Sequence, residues 1–332
     1  MSTRDWVEPP EANTLHLIGD LQNALTYDGP GTPPSEWTSS MRKGRRDKIV
    51  VDWQTGNMPS PAGGHLTVGD LIHRGTAAED ADVKAMFTAL TAGTGRPVYP
   101  TLGNHDIYEN KRTPAQWAAA WGLSSPNYVV DLPWVRLLII GIEPLRVYKT
   151  PGVIDQGKCW LSETTLRWLD WQLSMTTKNC WIVCHAPLRY TVQGTDDTGW
   201  IRSDNDPLFA ELLASNPNAR AWISGHTHTS LQSRTTGAGG TNQAGVWITT
   251  TLGGRKFANI NAGCLANSQR VEEIDSTETV NWATEWWEPL QTFWLTAVDD
   301  NRYELRARDH GAQAFLPRTQ GNPARVDVID LT

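Results

Sequence analysis

Apolar residues along this chain gather into short, strand-length runs that alternate with stretches of helical periodicity. Leu15-His16-Leu17-Ile18, His65-Leu66-Thr67-Val68, Pro97-Val98-Tyr99-Pro100-Thr101, Cys180-Trp181-Ile182-Val183-Cys184, Ala219-Arg220-Ala221-Trp222-Ile223-Ser224 and Gly245-Val246-Trp247-Ile248-Thr249-Thr250-Thr251 read as strands. Between them the pattern predicts helices over 35–53, 77–90, 114–121, 161–173 and 207–213. Ser35 is the predicted N-cap of the first, behind Pro33-Pro34, and Val83, Met86, Phe87 and Leu90 are the apolar positions of the second. Tyr128 to Leu132 and Val135 to Ile140 form a predicted hairpin around Pro133-Trp134. Thr292 to Val298 and Arg302 to Arg308 form another, turned at Asp299-Asp300-Asn301. Residues 255–290 fit the alternation poorly and read as an insertion or lid, with Trp282, Trp286 and Trp287 available to lean over a site. The expectation is one α/β domain over 1–332, with a core over about 14–254 and a C-terminal β-hairpin over about 291–310.

Composition narrows the function classes. Hydrophobic residues make up 39% and charged residues 20%, the balance of a soluble globular protein. A formal net charge of -7 excludes the broad cationic surface that general nucleic-acid or membrane binding draws on. The basic run Arg42-Lys43-Gly44-Arg45-Arg46 is followed by Asp47 and Asp52 and reads as the solvated face of a helix. No segment has the roughly 18 consecutive apolar residues of a membrane span, and the N-terminus lacks a signal-type apolar core, so the expected location is cytoplasmic. The cysteines Cys159, Cys180, Cys184 and Cys264 show no Cys-x-x-Cys pairing. Cys180 and Cys184 share one predicted strand, about 13 Å apart, too far for a disulfide. Seventeen tryptophans recur at spacings that fit packing faces.

The candidate chemistry sits where apolar runs end. Five runs finish in a group able to bind a metal ion: Asp20, Asp70, Asn104, His185 and the pair His226/His228. Ligands of open α/β sheets bind beyond the carboxyl ends of the strands, so these five ends can converge on one site. Gly19, Gly69, Gly103 and Gly225 immediately precede four of the five, allowing sharp turns and close packing around a crowded centre. Five of the chain's eight histidines, His73, His105, His185, His226 and His228, fall within or just after these ends.

Gly19-Asp20, Gly69-Asp70, Gly103-Asn104-His105-Asp106, His185 and Gly225-His226-Thr227-His228, in that order, resemble the five motifs of the calcineurin-like metallophosphoesterase superfamily. The resemblance covers roughly residues 14–254 and implies a four-layer α/β/β/α sandwich with a dinuclear metal site at the strand ends. It implies that Asp70 bridges two metal ions, that Asp20 and His228 hold the first, and that Asn104, His185 and His226 hold the second. The ions would be divalent or mixed-valence Mn, Fe or Zn. A metal-bridging hydroxide would attack phosphorus, His105 would assist the leaving group, and Asp106 would either orient His105 or cap a helix.

Two positions depart from the superfamily pattern. The first motif lacks its usual histidine and has Asp20-Leu21-Gln22, and the second has His73 where an acid often supports the catalytic histidine. In the purple acid phosphatase branch, the position of His73 holds a metal-binding tyrosine and the first motif also lacks its histidine. His73 is therefore the expected replacement ligand at the first metal, with Gln22 a further oxygen donor. Candidate substrate contacts are Arg189, Arg74 and Tyr108, together with Tyr190. The expected function is hydrolysis of a small phosphomonoester or phosphodiester, cyclic nucleotides among them. A non-catalytic scaffold on the same fold is the alternative, and a nuclease the third option.

Overall fold

The computed structural model of the protein describes residues 12–21, 48–55, 58–73, 76–107, 112–146, 154–188, 206–227, 246–251, 253–263, 268–274, 280–285, 291–310, 313–315 and 328–332. Helical backbone at 48–54 (α1) belongs to the helix expected over 35–53. The other helices are α2 (Ala77–Thr94), α3 (Pro114–Ala120), α4 (Glu163–Ser174) and α5 (Asp206–Ser215). The strands are β1 (Thr14–Ile18), β2 (His65–Thr67), β3 (Val98–Tyr99), β4 (Tyr128–Asp131), β5 (Arg136–Ile140), β6 (Glu143–Arg146), β7 (Ile154–Trp160), β8 (Cys180–Cys184) and β9 (Ala219–Ser224). They continue with β10 (Val246–Thr250), β11 (Lys256–Asn261), β12 (Ser268–Ile274), β13 (Val280–Glu285), β14 (Gln291–Ala297), β15 (Arg302–Asp309), β16 (Ala314–Phe315) and β17 (Val328–Asp330).

Helix boundaries follow local chemistry. Thr76 and Glu79 satisfy each other's backbone N–H groups at the start of α2. Its end waits for Gly95, which takes a left-handed φ of 68° and donates to Thr91 O, so the helix runs a turn past the expected Leu90. Pro114 opens α3 behind a Thr113–Gln116 capping box, and Ser162 caps α4.

The strands form two mixed sheets and two separate hairpins. One sheet has the order β16-β15-β14-β1-β2-β3, with β17 added on β15, and the other β10-β11-β9-β8-β5-β4. In the first sheet β1, β2 and β3 are parallel, as are β5, β8, β9 and β11 in the second. Alternate residues face a core shared by the sheets: Leu15 and Leu17, Leu137 and Ile139, Trp181 and Val183, Ala221 and Ile223, Phe293 and Leu295. Trp181 of β8 meets Tyr303 of β15 edge to face across it, ring centroids 5.2 Å apart. The intervening residues Leu138, Ile140, Ile182, Cys184 and Trp222 belong to a second apolar cluster with helix residues such as Leu166, Leu169, Phe209 and Leu213. Central strands buried on both faces explain why the sequence shows continuous apolar runs rather than alternation. Cys180 and Cys184 are unbridged and buried, and burial pushes both thiols up to about 12.

The expected hairpin around Pro133-Trp134 is β4–β5, and the terminal one, β14–β15, joins the first sheet through β1. The supposed insertion needs correction at its start. Lys256–Asn261 is β11, an interior strand between β10 and β9, and Arg255 donates to Leu213 O and Ala214 O at the end of α5. Asn259 and Asn261 interrupt the apolar run, which hid the strand, although both side chains are buried and bonded within the fold. The remainder of that stretch contains the β12–β13 hairpin. Among the described residues no helix is long and apolar enough to cross a membrane.

Candidate metal centre

Parallel strands deliver the candidate ligands to one place. Asp20 follows β1, Asp70 follows β2, Asn104 follows β3, His185 follows β8 and His226 follows β9, and all five side chains are buried. His185 Nε2 lies 2.9 Å from Asn104 Oδ1, 3.0 Å from His226 Nδ1 and 3.3 Å from Asp70 Oδ2. Donor atoms of Asp70, His185 and His226 all fall within 4.8 Å of one another. Asp20 adjoins them: its Oδ2 accepts from the His226 backbone N–H at 2.8 Å, and its Oδ1 is 3.8 Å from His185 Nδ1.

The turns that hold these groups leave no room for ordinary side chains. A Cβ on Gly103 would overlap the backbone nitrogen of Asp70, and one on Gly225 would overlap the Asp20 carboxylate. Asp70 and His226 themselves take positive φ values of 48° and 71°. Such backbone costs of the order of 1 kcal/mol or more and persists where the surroundings over-determine it, often at functional sites. The β2 and β3 ends are tied by Thr101 N–H to Thr67 Oγ1 at 3.0 Å and by the Thr101 hydroxyl to Thr67 O at 2.6 Å.

The donor chemistry fits a metal ion. His185 Nδ1–H donates to the Val68 carbonyl at 2.9 Å, which turns the lone pair of the neutral ring, on Nε2, toward Asp70, Asn104 and His226. Burial opposes charge on Asp70, yet the imidazoles of His185 and His105 outweigh it and hold the carboxyl far below its usual range. Burial equally opposes charge on His185, but Asp70 and Asp20 raise it to about 9. Two buried carboxylates thus favour a positive charge at this spot, which a proton or a metal cation supplies.

Asp106 is placed differently from either sequence expectation. Its Oδ1 accepts from Leu71 N–H at 3.0 Å and Ile72 N–H at 3.1 Å, and its Oδ2 from Gly103 N–H at 2.7 Å. It therefore braces the Asp70 turn against the Asn104 turn. Burial and the neighbouring Asp70 push its carboxyl up, while the Gly103 and Ile72 N–H groups pull the other way. His105 is instead oriented by a backbone group: its Nδ1–H donates to the His73 carbonyl at 3.0 Å. The rings of His73 and His105 stack at 4.9 Å with an interplanar angle of 18°. The His105 backbone N–H donates to Asp70 Oδ1 at 2.8 Å.

Gln22, Arg74, Tyr108, Arg189, Tyr190 and His228 lie outside the described residues, as do Trp286 and Trp287, and of Trp282 only the backbone is described. One contributor escaped the sequence reading. Asn261 donates from Nδ2 to Gly225 O at 2.7 Å and accepts from Gly263 N–H at 2.9 Å, bracing the His226 turn from β11. The apolar partners Phe257, Ala258 and Ile260 were the signal that could have marked its strand.

Residues 14–230 match the sequence profile of the family described as calcineurin-like phosphoesterase. No curated protein sequence matches the chain. In structure the chain is similar to a dimetal phosphatase from Danio rerio, with a TM-score of 0.57 and 14% identity over 96% of this chain and 99% of that one. It is also similar to a purple acid phosphatase from yellow lupin (Lupinus luteus) seeds, with a TM-score of 0.53 and 14% identity over 96% of this chain and 53% of that one. At such identity the likeness shows the fold alone. The profile match spans more than half the chain and runs through the strand ends that carry Asp20, Asp70, Asn104, His185 and His226, so the chain belongs to the calcineurin-like phosphoesterase family.

Proposed function

We propose that this protein is a metal-dependent phosphohydrolase that cleaves a small phosphomonoester or phosphodiester. The observation that supports it is the convergence of buried Asp70, Asn104, His185 and His226 donor atoms beside His105. In this reading Asp70, Asn104, His185 and His226 would hold the second metal ion, and Asp20, Asp70 and His228 would hold the first. His73 is the further donor assigned to the first site, with Gln22 as a weaker oxygen donor. Bound there, the ions supply positive charge and Lewis acidity for phosphoester hydrolysis; Mn, Fe and Zn all suit mixed carboxylate and imidazole donors.

The chain's own groups account for the remaining requirements. The His73 carbonyl holds the Nδ1–H of His105, so Nε2 of the imidazolium is the atom that gives its proton to the leaving oxygen. Asp106 keeps the Asp70 and Asn104 turns at a set separation. Arg189, Arg74 and Tyr108 are the side chains assigned to the substrate's phosphate oxygens. A panel of monoester, linear diester and cyclic diester substrates, offered to protein reconstituted with Mn²⁺, Zn²⁺ or Fe, tests the proposal. Hydrolysis that His105→Ala abolishes while metal stays bound is the expected result. Inactivity toward every substrate with metal content confirmed favours the scaffold instead.

A further inference from the structure

Away from the metal centre, the outer face of the first sheet carries a buried polar chain that the proposed hydrolysis does not use. Asp52 of α1 accepts from Arg308 through both carboxylate oxygens at 2.9 Å, and its Oδ2 also accepts from His310 Nδ1 at 2.7 Å. His310 Nε2 lies 2.7 Å from Thr292 Oγ1, which lies 2.7 Å from His16 Nε2. His16 Nδ1 meets His65 Nδ1 at 2.8 Å, and His65 Nε2 meets Thr94 Oγ1 at 2.8 Å. The Thr94 hydroxyl is also 2.8 Å from the Leu90 carbonyl oxygen. His16, His65, Thr292 and Asp52 are 0% exposed and His310 is 1% exposed, so water cannot repair a link broken between Asp52 and His65.

Each link joins two atoms that share one proton, which makes proton counting decisive. The Arg308 fork keeps Asp52 ionised, so His310 Nδ1 carries a hydrogen. With three neutral rings, every donor points the same way: Thr94 to His65, His65 Nδ1–H to His16, His16 Nε2–H to Thr292, and Thr292 to His310 Nε2. One added proton on His310 reverses every link from His310 to Thr94, whose hydroxyl then turns to the Leu90 carbonyl. The same proton on His65 or His16 is also fully bonded. A second proton is not. It either opposes two N–H groups across the Nδ1–Nδ1 contact or aims two N–H groups at Thr292 and strands its hydroxyl hydrogen, and it buries a second cation.

We propose that His16, His65 and His310 form one proton-binding site, a buried relay that takes up a single proton and refuses a second. Among the described residues, the charged groups facing it are Asp52 from α1, Arg308 from β15 and Arg96 beyond α2. Trp294 of β14 stacks on His16 with centroids 5.2 Å apart, and Trp53 of α1 stands edge-on to His16 and His310. Burial, helped by the neighbouring rings and Arg308, lowers His16 well below its ordinary range, and burial with Arg96 lowers His65 to about 3. The added proton therefore rests on His310, beside Asp52. The relay joins α1, β14 and the end of β15 to the β1–β2 pair that leads into Asp20 and Asp70, so a second proton releases this layer.

Histidine-selective ¹⁵N NMR of the full-length, metal-loaded protein, titrated downward from about pH 8, tests this because ¹⁵N shifts distinguish tautomers and charge. The expected result is one proton taken up on His310, with His16 switching from Nε2–H to Nδ1–H and His65 from Nδ1–H to Nε2–H at the same midpoint. Two charged rings in the folded protein, unchanged tautomers while His310 charges, or no uptake before unfolding each overturn the proposal. Thr292→Val is expected to uncouple His310 from His16 and His65, and Thr292→Ser to retain the coupling. Concerted reversal in Thr292→Val also overturns it.

Discussion

Replacing Asp106 by alanine should loosen the metal centre without removing any proposed ligand. Three buried backbone donors, from Leu71, Ile72 and Gly103, end on this carboxylate. A buried backbone donor left without its acceptor costs roughly 1–3 kcal/mol, and relief of the buried carboxyl offsets part of the sum over three donors, leaving a net loss of about 3–5 kcal/mol. Against a typical total of about 5–15 kcal/mol, the variant folds but unfolds at clearly lower urea. The Asp70 and Asn104 turns also lose their common anchor, and loss of such supporting groups typically costs about 10–100-fold in metal affinity. Urea denaturation of the metal-free protein and calorimetric titration with Mn²⁺ or Zn²⁺ read the two effects separately. A variant within about 0.5 kcal/mol of the parent, with unchanged metal affinity, refutes the brace. If such a variant loses kcat and shifts the alkaline limb of its pH profile, Asp106 acts on His105 instead.

Two further predictions concern charge and space. In metal-stripped protein, burial disfavours charge on His185 but Asp70 and Asp20 raise it to about 9. A histidine raised above its ordinary ~6.5 stabilises fully below that value and stops doing so as pH rises through about 9, a loss of about 3 kcal/mol. Urea midpoints at about pH 6 and pH 10 should show this drop without metal and lose it with metal bound; equal midpoints in the stripped protein contradict it. Gly225→Ala should drive a methyl group into the Asp20 carboxylate, costing about 1–3 kcal/mol and weakening metal binding. Unchanged metal content and midpoint in that variant would show that the turn yields.

The strand ends that carry the candidate ligands were legible because buried parallel strands write themselves as continuous apolar runs, and each run was followed by a group able to bind a metal ion, in four of the five directly behind a glycine. β11 was not, because Asn259 and Asn261 look like loop residues until their partners, the Thr249 hydroxyl and the Gly225 carbonyl, are known. The role of Asp106 was equally hidden: its acceptors' partners are backbone N–H groups of Leu71, Ile72 and Gly103, and backbone donors have no signature in side-chain identity. The same holds for the buried relay. His16, His65 and His310 occur far apart in sequence, and only the parallel pairing of His16 with His65 brings the first two together.

Position 73 separates what a side chain does from what its backbone does. Where related sequences often place an acid to hold the catalytic histidine, this chain uses the His73 carbonyl, 3.0 Å from His105 Nδ1. That acceptor survives any substitution that leaves the backbone in place. His73→Ala therefore removes the stacked ring, worth about 0.5–1.5 kcal/mol, while the tautomer of His105 stays set. The alkaline limb of the pH profile of kcat, where the His105 imidazolium loses its proton, should keep its position. If the imidazole also serves the first metal, tightly bound metal should fall by one equivalent in the same variant, with activity regained at high added metal. Full retention of metal removes His73 from the ligand set and leaves that place to Gln22. A displaced alkaline limb with metal retained would mean that the ring, and not the carbonyl, positions His105.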